Sequence, residues 1–271
     1  MTVRHATVAG QFYPAGARQL REDVASYISA SDVEAAPQRV VAMVAPHAGY
    51  VFSGPAAGYV FARAAGKKPK RVVVMGRSHR YAFDGAAVYT EGAFETPLGT
   101  LPIDEVLASE LAATAGPGIP QSHDPEHSIE VQLPFVQVAL GEVPIVPVLF
   151  GSDPDGWHLA LGRRLAGLLD REDLVIASTD LSHFLREEEA NEIDRRSLDR
   201  VLSKDADALC EELGSGRCSM CGGTAVAIAM AYAAERGAND WRLWDYRTSA
   251  AASGDYTRVV GYGAISMELD G

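Results

Sequence analysis

Cysteine is scarce in this chain: three residues among 271, Cys210, Cys218 and Cys221. The odd number and late clustering argue against a disulfide-stapled secreted scaffold. Basic side chains are also short, 24 Lys and Arg against 36 Asp and Glu, and the formal charge of −12 disfavours unspecific attraction to nucleic acid or anionic lipid. No stretch reaches the roughly 18 consecutive apolar residues of a membrane span, and the start of the chain lacks the apolar core of a signal peptide. These absences predict a cytoplasmic protein that binds neither nucleic acid nor membrane. Walker A, G-x-S-x-G and H-E-x-x-H patterns are missing, as is a G-x-G-x-x-G after a suitable strand. His123 and His158 stand alone in what read as surface turns.

What is present suits a folded chain. With 47% hydrophobic and 22% charged residues, the composition predicts one domain over 1–271. Short Val-rich runs at 40–45, 72–75, 145–150 and 174–177 read as buried strands. Helical patterns fill much of the intervening chain, at 17–29, 55–65, 104–115, 126–139, 157–169, 187–212 and 224–236, with room for breaks at Pro134 and within the long acidic stretch of 187–212. The alternation implies an α/β fold with a central sheet covered by helices on both faces. Segments 86–89, 242–246 and 257–268 have hairpin or edge-strand character, which makes the sheet mixed. Gly261-Tyr262-Gly263 lies inside one of them and reads as backbone packing rather than nucleotide binding.

Three of these runs end near a histidine: Pro46-His47, Gly76-Arg77-Ser78-His79 and Ser178-Thr179-Asp180-Leu181-Ser182-His183. Open α/β sheets bind ligands outside the carboxyl ends of their strands, so these imidazoles can converge. Imidazole suits iron, zinc or copper, and a divalent ion needs a further anionic donor. Asp180 can point into the same crevice or orient an imidazole. Glu130 would share a helix face with His127. Cys221 precedes the apolar 225–234 helix, where amide dipoles favour a thiolate. That sulfur can bind metal, attack an electrophile, or pair with Cys218 in a C-x-x-C motif. Each acid can equally be a helix cap, and Cys221 a buried structural thiol.

Five ordered motifs carry a resemblance. Pro46-His47-Ala48-Gly49-Tyr50 with Ser53-Gly54, Gly76-Arg77-Ser78-His79, Glu126-His127-Ser128-Ile129-Glu130 with Leu133-Pro134-Phe135, Ser178-Thr179-Asp180-Leu181-Ser182-His183-Phe184, and Cys221-Gly222 with Gly261-Tyr262-Gly263 together resemble the MEMO1 family, also called AmmeMemoRadiSam system protein B. The resemblance runs nearly end to end. It implies the fold of the LigB-type extradiol dioxygenases, a central mixed sheet flanked by helices. It also implies metal ligands at His47, His79 and Cys221, an acid-base histidine at His183, and site positions at His127 and Asp180. The metal it implies is Fe(II), with copper as the alternative. Two departures stand out: the dioxygenases keep a glutamate where this chain has Cys221, and Arg77 replaces a proline common in the family, so its guanidinium can face an anionic substrate or decorate the loop. Tyr50 can line the pocket. Three functions follow from the resemblance: a dioxygenase-like oxidoreductase acting on a small aromatic or anionic substrate, a non-catalytic copper or iron binder, or a redox adaptor working with AMMECR1-like and radical SAM proteins.

Overall fold

A strand buried on both faces needs apolar residues at consecutive positions, and the four Val-rich runs meet that requirement. The computed structural model describes residues 2–116 and 118–270. The chain opens with β1 (Val3–Arg4) and α1 (Ala17–Ala30), then β2 (Val40–Ala45), α2 (Tyr50–Ala64), β3 (Val72–Arg77) and β4 (Ala86–Val88). A hairpin, β5 (Ala93–Thr96) and β6 (Gly99–Pro102), leads to α3 (Glu105–Ala112), 3-10 turns at Pro120–His123 and Glu130–Gln132, α4 (Leu133–Ala139) and β7 (Ile145–Phe150). There follow α5 (Gly156–Leu168), β8 (Leu174–Ser178), β9 (His183–Leu185), α6 (Glu187–Leu202), α7 (Ala206–Gly214), α8 (Gly223–Glu235), β10 (Asp240–Thr248), the short α9 (Ala250–Ser253) and β11 (Val259–Glu268).

The main sheet has the order β10-β11-β2-β8-β3-β7-β4, with β9 added to β11. Strands β2, β8, β3 and β7 are parallel, while β4, β10 and β11 pair antiparallel, so the sheet is mixed as expected. Helix α2 packs on β2, β10 and β11 with α1 and α4 against it. Helix α8 packs on β2, β3 and β8, with α5 and α7 against it. The run of buried residues through α8 is apolar all round, the signature of a central helix. No described helix is long and apolar enough to cross a membrane.

Several expected boundaries moved, each for a local reason. Helix α2 starts at Tyr50 and carries Pro55 inside it instead of starting there. As the sixth residue of the helix, the proline removes the N–H that would otherwise bond the Val51 carbonyl, so the helix continues with one intrahelical bond fewer. The expected helix over 126–139 begins only with the 3-10 turn at Glu130, because the Glu126 carboxylate accepts the backbone N–H groups of His127 and Ser128. The 187–212 stretch has the break that its length and acidity allow, and is divided where Lys204 takes a positive φ and Asp205 caps α7. Strand β11 lies inside the sheet, not at its edge, and the small β1-β5-β6 sheet had no counterpart in the sequence reading.

Candidate metal centre

Strands β2, β8 and β3 are adjacent and parallel, with Ala45 opposite Ser178 and Met75 opposite Ala177. Their carboxyl ends therefore deliver His47, Asp180 and His79 to one side of the sheet. Cys221 arrives from the turn before α8. Its backbone N–H donates to the Asp180 carbonyl at 3.1 Å, and the next N–H, of Gly222, donates to Thr179 Oγ1 at 2.8 Å. A Cβ at Gly222 would collide with the Ser178 carbonyl, so only glycine lets the turn approach β8 this closely. Cys221 Sγ lies 3.2 Å from His47 Nε2, and donor atoms of His47, His79 and Cys221 all lie within 4.8 Å of one another.

The hydrogen bonds behind the rings fix which nitrogen each presents. Ser178 Oγ donates to the Ser128 carbonyl at 2.5 Å and accepts from Gln132 Nε2 at 2.8 Å. A hydroxyl has one proton to give, so toward His47 Nδ1, 3.0 Å away, Ser178 must accept. His47 thus carries its proton on Nδ1 and turns Nε2 to the sulfur. His79 donates Nδ1–H to Glu126 Oε1 at 2.8 Å, and its backbone N–H donates to Glu126 Oε2 at 2.7 Å. This carboxylate–imidazole pairing is the support that metal-binding histidines normally have.

The charges agree with that geometry. Burial opposes a charge on His47, but Cys221 and Asp180 outweigh it and raise the imidazole to about 9. Burial likewise opposes a charge on His79, and hydrogen bonds to Cys221 and Glu126 lift it to about 10. Burial alone would raise the Cys221 thiol, yet His47 and His79 hold it well below its usual range. Glu126, despite burial, is pulled down to about 2 by His79 and the backbone donors around it. These shifts favour negative charge on the sulfur and positive charge on the two rings, and a divalent ion can take the place of the Nε2 protons. Two imidazole nitrogens and a thiolate suit iron, zinc or copper, so these residues fit such an ion.

The Memo-like protein family model matches residues 4–266. The chain belongs to that family. It is 36% identical to a MEMO1 family protein of Methanopyrus kandleri, covering 97% of this chain and 98% of that one. It is also 36% identical to a MEMO1 family protein of Pyrococcus furiosus, covering 98% and 99% respectively. In fold it is similar to the crystal structure of an uncharacterized protein from Escherichia coli K12, with a TM-score of 0.52 at 15% identity, covering 84% of this chain and 99% of that one.

Around the Memo-like donor cluster opens a cavity of about 530 Å³ whose lining includes His47, His79, His127, Asp180 and His183. His127 lies in a loop, not on the expected helix, and stacks on His79 at 4.6 Å with Phe12 on its other neighbour position at 4.7 Å. Burial, then the His47 charge, pushes His127 down to about 3, so it is neutral near pH 7. His183 stands exposed on the cavity rim, carried by β9 and not by a plain turn. Asp180 holds the backbone of His47, accepting its N–H at 2.7 Å, and burial raises the Asp180 carboxyl.

Other expectations fail on contact with the structure. Glu130 is far from sharing a face with His127: it pairs with Arg4 and accepts Tyr13 OH and the Thr7 backbone N–H, clamping the N-terminal segment. Tyr50 is buried, donates to the Val131 carbonyl at 2.7 Å and does not line the cavity. Arg77 points to Asp153 in a separate cleft beside Met220 and Thr224. His123 and His158 are buried, not in surface turns; His123 donates to the Ala87 carbonyl, and His158 completes a capping box with Asp155 on α5. All three cysteines are free, and Cys218 faces Glu212. Sequence reasoning missed Glu126, Ser178 and Gln132 as supports of the site. The signal for Glu126 was its place directly before His127, between a proline and the motif histidine.

Proposed function

We propose that this Memo-like protein holds one Fe(II) between His47 Nε2, His79 Nε2 and Cys221 Sγ, and acts as a dioxygenase-like oxidoreductase on a small substrate in the adjoining cavity. One observation carries the reading: both rings have Nδ1 committed to other groups, leaving two Nε2 atoms and a thiolate converged within 4.8 Å. Bound iron would supply Lewis acidity and one-electron chemistry toward dioxygen. Three donors from the protein, with a cavity on the remaining side, match an open site better than a closed structural one.

The chain's own residues supply the rest. Glu126 fixes the His79 tautomer, and Asp180 fixes the backbone of His47. His183, free on the rim, would remove a proton from a substrate hydroxyl. His127, kept neutral beside Glu126, would exchange a hydrogen bond with the same substrate without adding a charge next to His47 and His79. Phe12 and Phe52 make one wall apolar and restrict water there.

Anaerobic titration with Fe(II) tests the reading. The expected result is one equivalent bound by the natural chain and little or none by His47→Ala or Cys221→Ala. Unchanged iron content in both variants rejects the ligand set. The thiolate also favours a second reading, a copper or iron carrier or redox adaptor working with AMMECR1-like and radical SAM partners, because soft sulfur binds copper well. Metal-dependent oxygen uptake with catechols supports the enzyme. Stoichiometric binding without uptake, together with copurification of those partners, supports the carrier.

A further inference from the structure

The cavity has a second recognition feature at its mouth. Phe184, next to His183, adopts left-handed backbone at φ 62° with 61% of its surface exposed. Both features are costly for a bulky aromatic residue, and such strain concentrates where a ligand is gripped. The conformation stands the ring on the rim, with the Arg258 guanidinium 5.1 Å from its centroid. Phe184 and Arg258 both line the cavity that the three imidazoles share. The acid on this rim is Asp255, which is committed to its own turn: Oδ1 accepts the Thr257 N–H at 2.8 Å and the Thr257 hydroxyl at 2.6 Å. Arg258 therefore has an aromatic platform and, among the described residues, no ion-pair partner.

We infer that Arg258 and Phe184 form the anion-recognising end of the substrate site, and that its ligand is a flat aromatic monocarboxylate. The inference rests on the proposed function in taking this cavity as the substrate site, but not on the identity of the metal. A guanidinium placed over a ring and free of any ion pair keeps its fork of donors for the two oxygens of a carboxylate. Phe12, Phe52 and Phe184 line the cavity and give it the aromatic surface that suits a planar apolar body. The cavity volume, about 530 Å³, falls in the range of small-molecule sites. The Asp255 charge beside Arg258 selects against a dianion such as a phosphate ester. The anion-facing role open to Arg77 in the sequence thus belongs to a residue near the opposite end of the chain.

Fluorescence titration of the purified chain with 2-naphthoate, 2-naphthamide and 2-naphthyl phosphate tests the assignment. The carboxylate is expected to bind about tenfold more tightly than the amide, the scale of one charge-assisted contact at a solvent-facing rim. Arg258→Gln should bring that ratio close to one while metal content stays the same. Phe184→Gly, which accommodates the positive φ, should weaken both ligands several-fold. Persistence of the full preference in Arg258→Gln, a tighter fit for the phosphate, or no binding of naphthoate overturns the inference. Metal content, measured separately in the His47 and Cys221 variants, distinguishes that failure from failure of the metal assignment.

Discussion

Glu126→Gln is a one-atom change at the point where the site depends most on a single side chain. The carboxylate is buried and accepts four good hydrogen bonds: the His79 N–H at 2.7 Å on Oε2, and His79 Nδ1–H at 2.8 Å, the His127 N–H at 2.9 Å and the Ser128 N–H at 2.8 Å on Oε1. A glutamine can keep its oxygen toward the three Oε1 donors, but its NH₂ then faces the backbone N–H of His79. One unsatisfied buried donor plus loss of the charge on three other bonds amounts to about 3 kcal/mol. Linkage gives a similar figure: a carboxyl moved from 4.5 to about 2 carries about 3 kcal/mol. The His79 shift describes the same contact and is counted once. The folded value is depressed, so this stability is present above about pH 4.5 and is lost as pH falls toward 2. More than half of it is gone by pH 3. Urea unfolding of the metal-free chain followed by tryptophan fluorescence should therefore show the variant about 3 kcal/mol less stable at pH 7 and the gap narrowing steadily toward pH 3. Competition with a chelator should show metal affinity about 10- to 100-fold weaker. A variant as stable as the natural chain at pH 7, with the same acid limb, refutes the role given to Glu126.

Arg4→Met should leave the Glu130 carboxylate buried without its partner and cost about 3–5 kcal/mol in chemical denaturation; adding Glu130→Gln should recover part of the loss. Gly261→Ala places a Cβ against the Asp194 carboxylate that holds the Ser182 N–H, an overpacking worth about 1–3 kcal/mol, visible as a lower melting temperature. Burial pushes His123 down to about 4 from 6.5, so its contribution is full above about pH 6.5 and falls as pH drops toward 4. Its imidazole signal, assigned with His123→Gln, should still be that of the neutral ring at pH 5.

The central strands were legible because β2, β3, β7 and β8 are apolar at nearly every position, and only a doubly covered parallel strand demands that. The convergence of His47 and His79 followed from where those strands stop. The character of Cys221 followed from the glycines and apolar helix after it. Tertiary partners hid the rest. Glu130 reads as a helix-face acid until Arg4, more than a hundred residues earlier, claims it. His123 and His158 sit among turn residues in sequence, yet long-range packing buries them. Phe184 and Arg258 lie more than seventy residues apart and meet only because β9 pairs with β11.

His47 and Cys221, whose donor atoms lie 3.2 Å apart, are separated by 174 residues in the chain. No contiguous fragment short of most of the chain contains both. Retention of an ion through gel filtration would consequently act as a reporter of global folding, lost in one step with the tertiary structure. An ion held as proposed would be lost at the first proteolytic cut that frees the segment carrying His47 from the segment carrying Cys221.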